Sequence, residues 1–409
     1  MKTKMFIYVV TMIVLLSFLT GCSGKDSEEK RSFINDNKND EMVIRNSFVS
    51  YNNRGACYIS DGYAKYQEAG TGKKIALCTK PNCTHGEKGN WQTEICDAYL
   101  GANPGFLIMN NTNLFFITCP TDTTQSFFFD RVLYKSDLDG KNRKQVALLK
   151  DVENVNVGAY ENNWLALAYI VSDERENVGK PDSEELDKRI SGVYLINTEN
   201  GEKRHIRELQ EFSANCYQVY IYDGILYYTF LYYKEFLDYS QYQPKDYYER
   251  LKDVVVQEMW AYDIASGNEK MVWQGSDEFI ETPCNGYIMI HNDIETIFLY
   301  KGEEVARYQN EKLAEHTPAF INKYVYEGKV YMTDETKVWN MDIETGKIEN
   351  VAEGKLDDLK INRIEAIMDE TVYFTVMDNE KGGAIGMEMK WTEFLNGEKD
   401  KAIKNNWLD

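Results

Sequence analysis

Trp260-Ala-Tyr-Asp263-Ile-Ala-Ser-Gly267 and Trp339-Asn-Met-Asp342-Ile-Glu-Thr-Gly346 are one phrase written twice in a chain of 409 residues. Tyr194-Leu-Ile-Asn197-Thr-Glu-Asn-Gly201 has the same shape, and Tyr134-Lys-Ser-Asp137-Leu-Asp-Gly140 is one residue shorter. In each, an aromatic strand runs into a turn with Asp or Asn early and Gly late, and another apolar strand follows. This is hairpin chemistry: Asp and Asn bond their own turn backbone, and Gly takes the positive φ that closes it. The acids at these positions are therefore turn residues rather than calcium ligands, since no D-x-[DN]-x-[DN]-G loop accompanies them.

Before each hairpin lies a further strand: Cys57–Ser60, Leu114–Ile117, Trp164–Ile170, Ile225–Tyr228, Tyr287–Ile290, Val330–Thr333 and Val372–Thr375. Spread over residues 46–409, these make seven units of about 52 residues, close to the period of four-stranded blades. Aromatic residues are 13% of the chain, led by 29 Tyr, as half-buried strands prefer. The fold expected is all-β: a β-propeller of about seven four-stranded blades with short helical insertions. Six or eight blades stay open, because Phe298-Leu-Tyr300-Lys-Gly302 lacks the turn acid and the first unit keeps only Glu68 and Gly72. A mixed β-sandwich array is the competing architecture.

The start of the chain is an address. Lys2 and Lys4 precede an uncharged, mostly apolar run from Met5 to Leu19, too short to span a bilayer and normal for a signal peptide. Leu19-Thr20-Gly21-Cys22 resembles the bacterial lipobox, which implies cleavage before Cys22, lipidation of its thiol and anchoring of the chain outside the cytoplasm. Residues 1–21 are then the signal peptide, 22–45 the lipidated Cys with a polar, flexible tether, and 46–409 the propeller. Losing Lys2 and Lys4 with no acid deepens the net charge from −20 to −22. That charge excludes a nucleic-acid partner, which would need a basic patch.

The repeat and the lipobox together resemble the TolB-like and YWTD-like propeller lipoproteins of Gram-positive gut bacteria. The segment Cys78-Thr-Lys-Pro-Asn-Cys83-Thr-His85, followed by Cys96, resembles a CxKPxCxH…C signature of the same group. Three thiols and one imidazole are the donor set of a tetrahedral structural Zn²⁺. A disulfide, Cys83–Cys96 or Cys78–Cys96, is the alternative that an oxidising compartment permits, and three unlinked thiols are a third. Apart from Cys22 the chain holds seven Cys, an odd number that disulfides cannot exhaust.

The extra length falls at 119–131, 172–191 and 232–256, each between the second and third strands of a unit. The second offers a short helix from Ser183, and the third another over Asp246–Lys252. Tyr239, Tyr242, Tyr247 and Tyr248 in the third make candidate ligand contacts, flat apolar bodies with polar tips; packing of the insertion explains them equally well. No H-E-x-x-H, G-x-S-x-G or phosphate-binding glycine loop occurs. Of the four histidines, His205 reads as a surface residue, and His291 and His316 border strands in structural roles. The function expected is a membrane-anchored, non-catalytic binding or scaffold protein for a glycan or protein; a carboxylate-dependent glycan-active enzyme is the alternative.

Overall fold

A computed structural model describes residues 45–405, less 86–95, 101–105, 119–130, 172–187, 311–321, 334–336, 379–382 and the positions 47–48, 53, 61, 81–82, 84, 151, 153, 239–240, 277, 282, 293 and 369. The signal segment, Cys22, Ser183, Cys119 and His316 lie outside the described residues. Among the described residues no helix is long and apolar enough to cross a membrane.

Six sheets follow one another along the chain, and in each every strand pairs antiparallel with its neighbour in sequence. Sheet I covers 45–76, sheet II 106–149, sheet III 154–275, sheet IV 279–309, sheet V 322–350 and sheet VI 361–405. Sheets II, IV, V and VI have four strands, sheet I five and sheet III seven. The fifth strand of sheet I is Arg45–Asn46, which pairs with Val49–Asn52.

Sheet III is two meanders sharing one strand. Lys203–Tyr222 runs for 20 residues; its first half pairs with Lys188–Asn197 and its second with Ile225–Tyr233. The register breaks between Phe212 and Asn215, where Ser213 sits in the left-handed region at φ 52°. Arg207 ties the halves: its guanidinium lies 3.5 Å from the Trp260 ring centroid and 2.5 Å from Glu269 Oε2.

The repeated turns close as their sequence dictates. The N–H of Gly140, Gly201, Gly267 and Gly346 each donates to the carbonyl of Asp137, Asn197, Asp263 and Asp342, at 2.8–2.9 Å. Asp263 Oδ1 accepts the Ser266 N–H and Asp342 Oδ1 the Thr345 N–H, both at 2.8 Å. The Ser266 N–H holds the Asp263 carboxyl below the usual carboxylate range, and the Thr345 hydroxyl, then its N–H, do the same for Asp342. Glu68 and Gly72 form a like turn, with the Gly72 N–H on the Glu68 carbonyl at 3.2 Å and the Thr71 hydroxyl on Glu68 Oε2 at 2.8 Å, and Lys301-Gly302 replaces it with two positive-φ residues.

Each sheet shares an apolar cluster with the next. Cys57 and Ala64 pack with Leu107 and Phe116 between sheets I and II; Phe115 stacks on Tyr160 at 4.9 Å between II and III. Equivalent clusters join III to IV, IV to V and V to VI. The last sheet also packs on the first, with Tyr51 and Tyr373 rings 4.9 Å apart. Successive antiparallel meanders packed face to face in order are the plan of a β-propeller.

Alternation of strand direction gives each meander two unlike ends. The first strand begins at one end, the entry end; the second-to-third connection and the exit of the fourth strand lie there too. Of the connections longer than ten residues, five (77–105, 119–130, 172–187, 234–254 and 310–321) are at entry ends. One, 391–402, is at the other end and carries helix α2, Trp391–Asn396. The third insertion is shorter than its sequence suggests, because Tyr232, Tyr233 and Val255 belong to flanking strands. Its helix, α1 (Pro244–Val254), outruns the expected turns at both ends, with Pro near the start, Asp246 in the first turn and Lys252 in the last.

Candidate functional site

The thiols and imidazole singled out in the sequence converge. Cys78 leaves strand Lys74–Ala76 with its N–H bonded to the Ala76 carbonyl at 2.7 Å. A loose turn follows, in which the Cys83 N–H meets the Lys80 carbonyl at 3.4 Å, and His85 takes a left-handed conformation at φ 50°. The donor atoms of Cys78, Cys83, His85 and Cys96 all lie within 4.8 Å of one another, and Cys96 Sγ is 3.6 Å from His85 Nδ1. Around one zinc ion such donors stand roughly 3.5–3.8 Å apart, so the set fits with small contraction. Burial foremost, with Cys83 and Cys78 beside it, pushes the Cys96 thiol up.

Neighbouring strands brace this loop. Arg143 of sheet II donates to the Asp97 carbonyl at 2.6 Å and to the Tyr99 carbonyl at 3.2 Å, and Lys80 pairs with Asp97 at 2.9 Å. Gly140 closes its hairpin directly against the loop: a Cβ there would lie 2.3 Å from the Leu77 carbonyl oxygen. The cluster therefore sits between sheets I and II, against the hairpin that joins the third and fourth strands of sheet II. No disulfide joins the described cysteines; Cys57, Cys216 and Cys284 are buried apart from the cluster.

A second constellation was not foreseen. Glu281 follows strand Phe279–Ile280, His291 ends strand Tyr287–His291, and Lys323 stands near the start of strand Asn322–Tyr326. All three belong to entry ends, on the two innermost strands of sheet IV and the first of sheet V. Lys323 Nζ lies 3.0 Å from Glu281 Oε1 and 2.6 Å from His291 Nε2, and His291 Nε2 lies 2.8 Å from the same Oε1. The Lys323 side chain is 1% exposed, that of His291 18% and that of Glu281 29%. Burial alone would raise the Glu281 carboxyl, but Lys323 and His291 outweigh it and hold the pKa at about 2. The same burial lowers Lys323. Phe279, 49% exposed, stacks on the His291 ring at 5.5 Å.

Two of the four tyrosines singled out in the third insertion, Tyr242 and Tyr247, have described side chains. Tyr242 and Tyr247 are half-buried and meet edge to face at 6.2 Å. Leu237 and Val254 of the same insertion are buried, and Arg250 pairs with Glu235 and with Asp253. Tyr239 and the Tyr248 side chain lie outside the described residues. His205 is exposed, as expected of a surface residue, and its Nε2 meets the Tyr169 hydroxyl at 2.7 Å.

Fold and sites together define a predominantly β protein of propeller plan, with a Cys₃His cluster between sheets I and II and a half-buried Glu–His–Lys cluster between sheets IV and V. No protein-family model matches the chain, and no curated protein does. Among solved structures it is similar to an acylaminoacyl peptidase of Pyrococcus horikoshii, 12% identical at TM-score 0.46 over 86% of this chain. The chain spans about half, 49%, of that peptidase. It is similar to the β-propeller domain of the Trilobed protease from Pyrococcus furiosus, which has an open velcro topology, at 12% identity and TM-score 0.46 over 86% of this chain and 99% of the domain. A third is the Porphyromonas gingivalis dipeptidyl peptidase 4, at 9% identity and TM-score 0.44 over 88% of this chain and 52% of that one.

Proposed function

We propose that the chain is an extracytoplasmic lipoprotein, anchored through Cys22, whose seven-bladed closed propeller binds a glycan or protein ligand on one loop-rich face. The seven blades are sheets I, II, IV, V and VI with the two meanders of sheet III, and closure is the packing of sheet VI on sheet I. The observation that carries the binding role is the gathering of long connections at entry ends. In a ring all entry ends share one face, and long loops on one side of a rigid scaffold are where recognition is built. A structural Zn²⁺ held by Cys78, Cys83, His85 and Cys96 ties down the 77–105 connection on that face. Pairing any two thiols instead would leave the third thiol and the imidazole with no shared purpose, whereas one ion uses all four donors.

The competing reading, a carboxylate-dependent glycan-active enzyme, is favoured by the Glu281–His291–Lys323 cluster, since perturbed ionisable groups gather at reactive sites. Two measurements on the full chain test the proposal. Membrane fractionation should find it with the membrane and Cys22→Ser in the soluble fraction; unchanged partitioning removes the anchor. Incubation with a glycan panel should give binding without product, and hydrolysed or unsaturated sugars would replace the binding role with catalysis.

A further inference from the structure

The repeat itself shows where the molecule departs from what the fold needs. Counted from the turn before each second strand, the fifth residue is Ile59, Ile117, Ala168, Thr229, His291, Thr333 and Thr375. Where this residue links to the next sheet, a small hydroxyl suffices: Thr333 Oγ1 donates to the Asn362 carbonyl of sheet VI's first strand at 2.7 Å. At the junction of sheets IV and V the same link is made by His291, Glu281 and Lys323. A buried ion pair there is no stability gain over a small or apolar filling, because desolvation offsets the attraction. The fold does not ask for these residues.

Glu281 and His291 both keep part of their side chains exposed. Glu281 Oε1 takes both contacts, so Oε2 accepts no hydrogen bond among the described residues, and His291 Nδ1 is likewise without a partner. The half-exposed Phe279 ring covers the imidazole and offers its other face to solvent. One aromatic face beside one carboxylate oxygen and one imidazole nitrogen is the equipment for a pyranose: C–H groups on the ring, hydroxyls on the acceptors. The charge selects further. Lys323 is matched by Glu281, so the site has no spare cation for an acidic sugar and no spare anion for an amine.

Resting on the binding reading above, we infer that the junction of sheets IV and V is a binding site for a neutral sugar, contacted by Phe279, Glu281 and His291. Lys323 is its positioning residue, fixing Glu281 in the ionised form. Full-length protein titrated calorimetrically with cellotriose, maltotriose, mannotriose and xylotriose should bind at least one, and should bind trigalacturonate more weakly. Phe279→Ala and Glu281→Gln should each weaken that affinity about tenfold or more, with circular dichroism showing both variants folded, while Tyr242→Ala leaves it unchanged. Binding to none of the trisaccharides, preference for trigalacturonate, or indifference to both variants overturns the inference. Loss of binding in Tyr242→Ala with Phe279→Ala unaffected would move the site to the third insertion, keeping the loop-rich face and rejecting this placement.

Discussion

Glu281 shows how a single residue couples environment to stability. Lys323 and His291 hold its folded pKa at about 2, against an ordinary value near 4.5. A carboxyl depressed on folding adds stability that is full above its unfolded pKa and is lost as pH falls through the folded one. Urea midpoints should therefore fall between about pH 5 and pH 2 by more in the natural protein than in Glu281→Gln, which cannot ionise. Parallel acid limbs in the two proteins would show that the carboxyl is not held down. The sequence could have revealed this site through one signal: His291 occupies a repeat position otherwise filled by Thr, Ala or Ile. Glu281 and Lys323 gave no signal, because 42 residues separate them and only the packing of sheet IV on sheet V brings them together.

At the scale of elements, legibility followed locality. Hairpin turns were readable because Asp263, Ser266 and Gly267 make their bonds within one turn. The shared strand Lys203–Tyr222 was not, since continuity through Ser213 depends on partners on both sides rather than on its own residues. The Cys–His loop lies between these cases: its donors are close in sequence, yet their convergence also needs Arg143 and Gly140 of the following sheet. If zinc is the clamp, the connection from sheet I to sheet II folds around an ion, and removing it frees the loop. A purified sample should contain about one zinc per chain, and a strong chelator should lower Tm, with zinc restoring it. Cys96→Ser should bind less metal and melt at the chelated value. Absence of zinc together with a cross-linked Cys83–Cys96 or Cys78–Cys96 peptide would assign the cluster to a disulfide.

For the whole molecule the decisive joint is the one between its first and last sheets. An array of meanders has two open flanks unless the last sheet covers the first, and exposed sheet faces cost apolar burial. Here strand Ile403–Asn405 sits outermost in sheet VI, and Asn405 reaches into sheet I. Its side chain accepts from Gln67 Nε2 and donates to Glu388 Oε2 at 2.9 Å, while Glu388 Oε1 accepts the Gly70 N–H at 2.5 Å. Gln67, Glu388 and Asn405 are all buried, so losing Asn405 strands two polar groups as well as a strand. A chain ending at 402 should lose several kcal/mol, on the order of 1–3 for each unpaired group, and its unfolding should broaden as the ring opens. Asn405→Ala alone should cost part of this without broadening the transition. If the truncated chain melts like the intact one, with the same sharpness, the first and last sheets are not each other's cover and the array is open. The mutual burial of Tyr51 and Tyr373, whose rings meet across that joint, argues for the closed outcome.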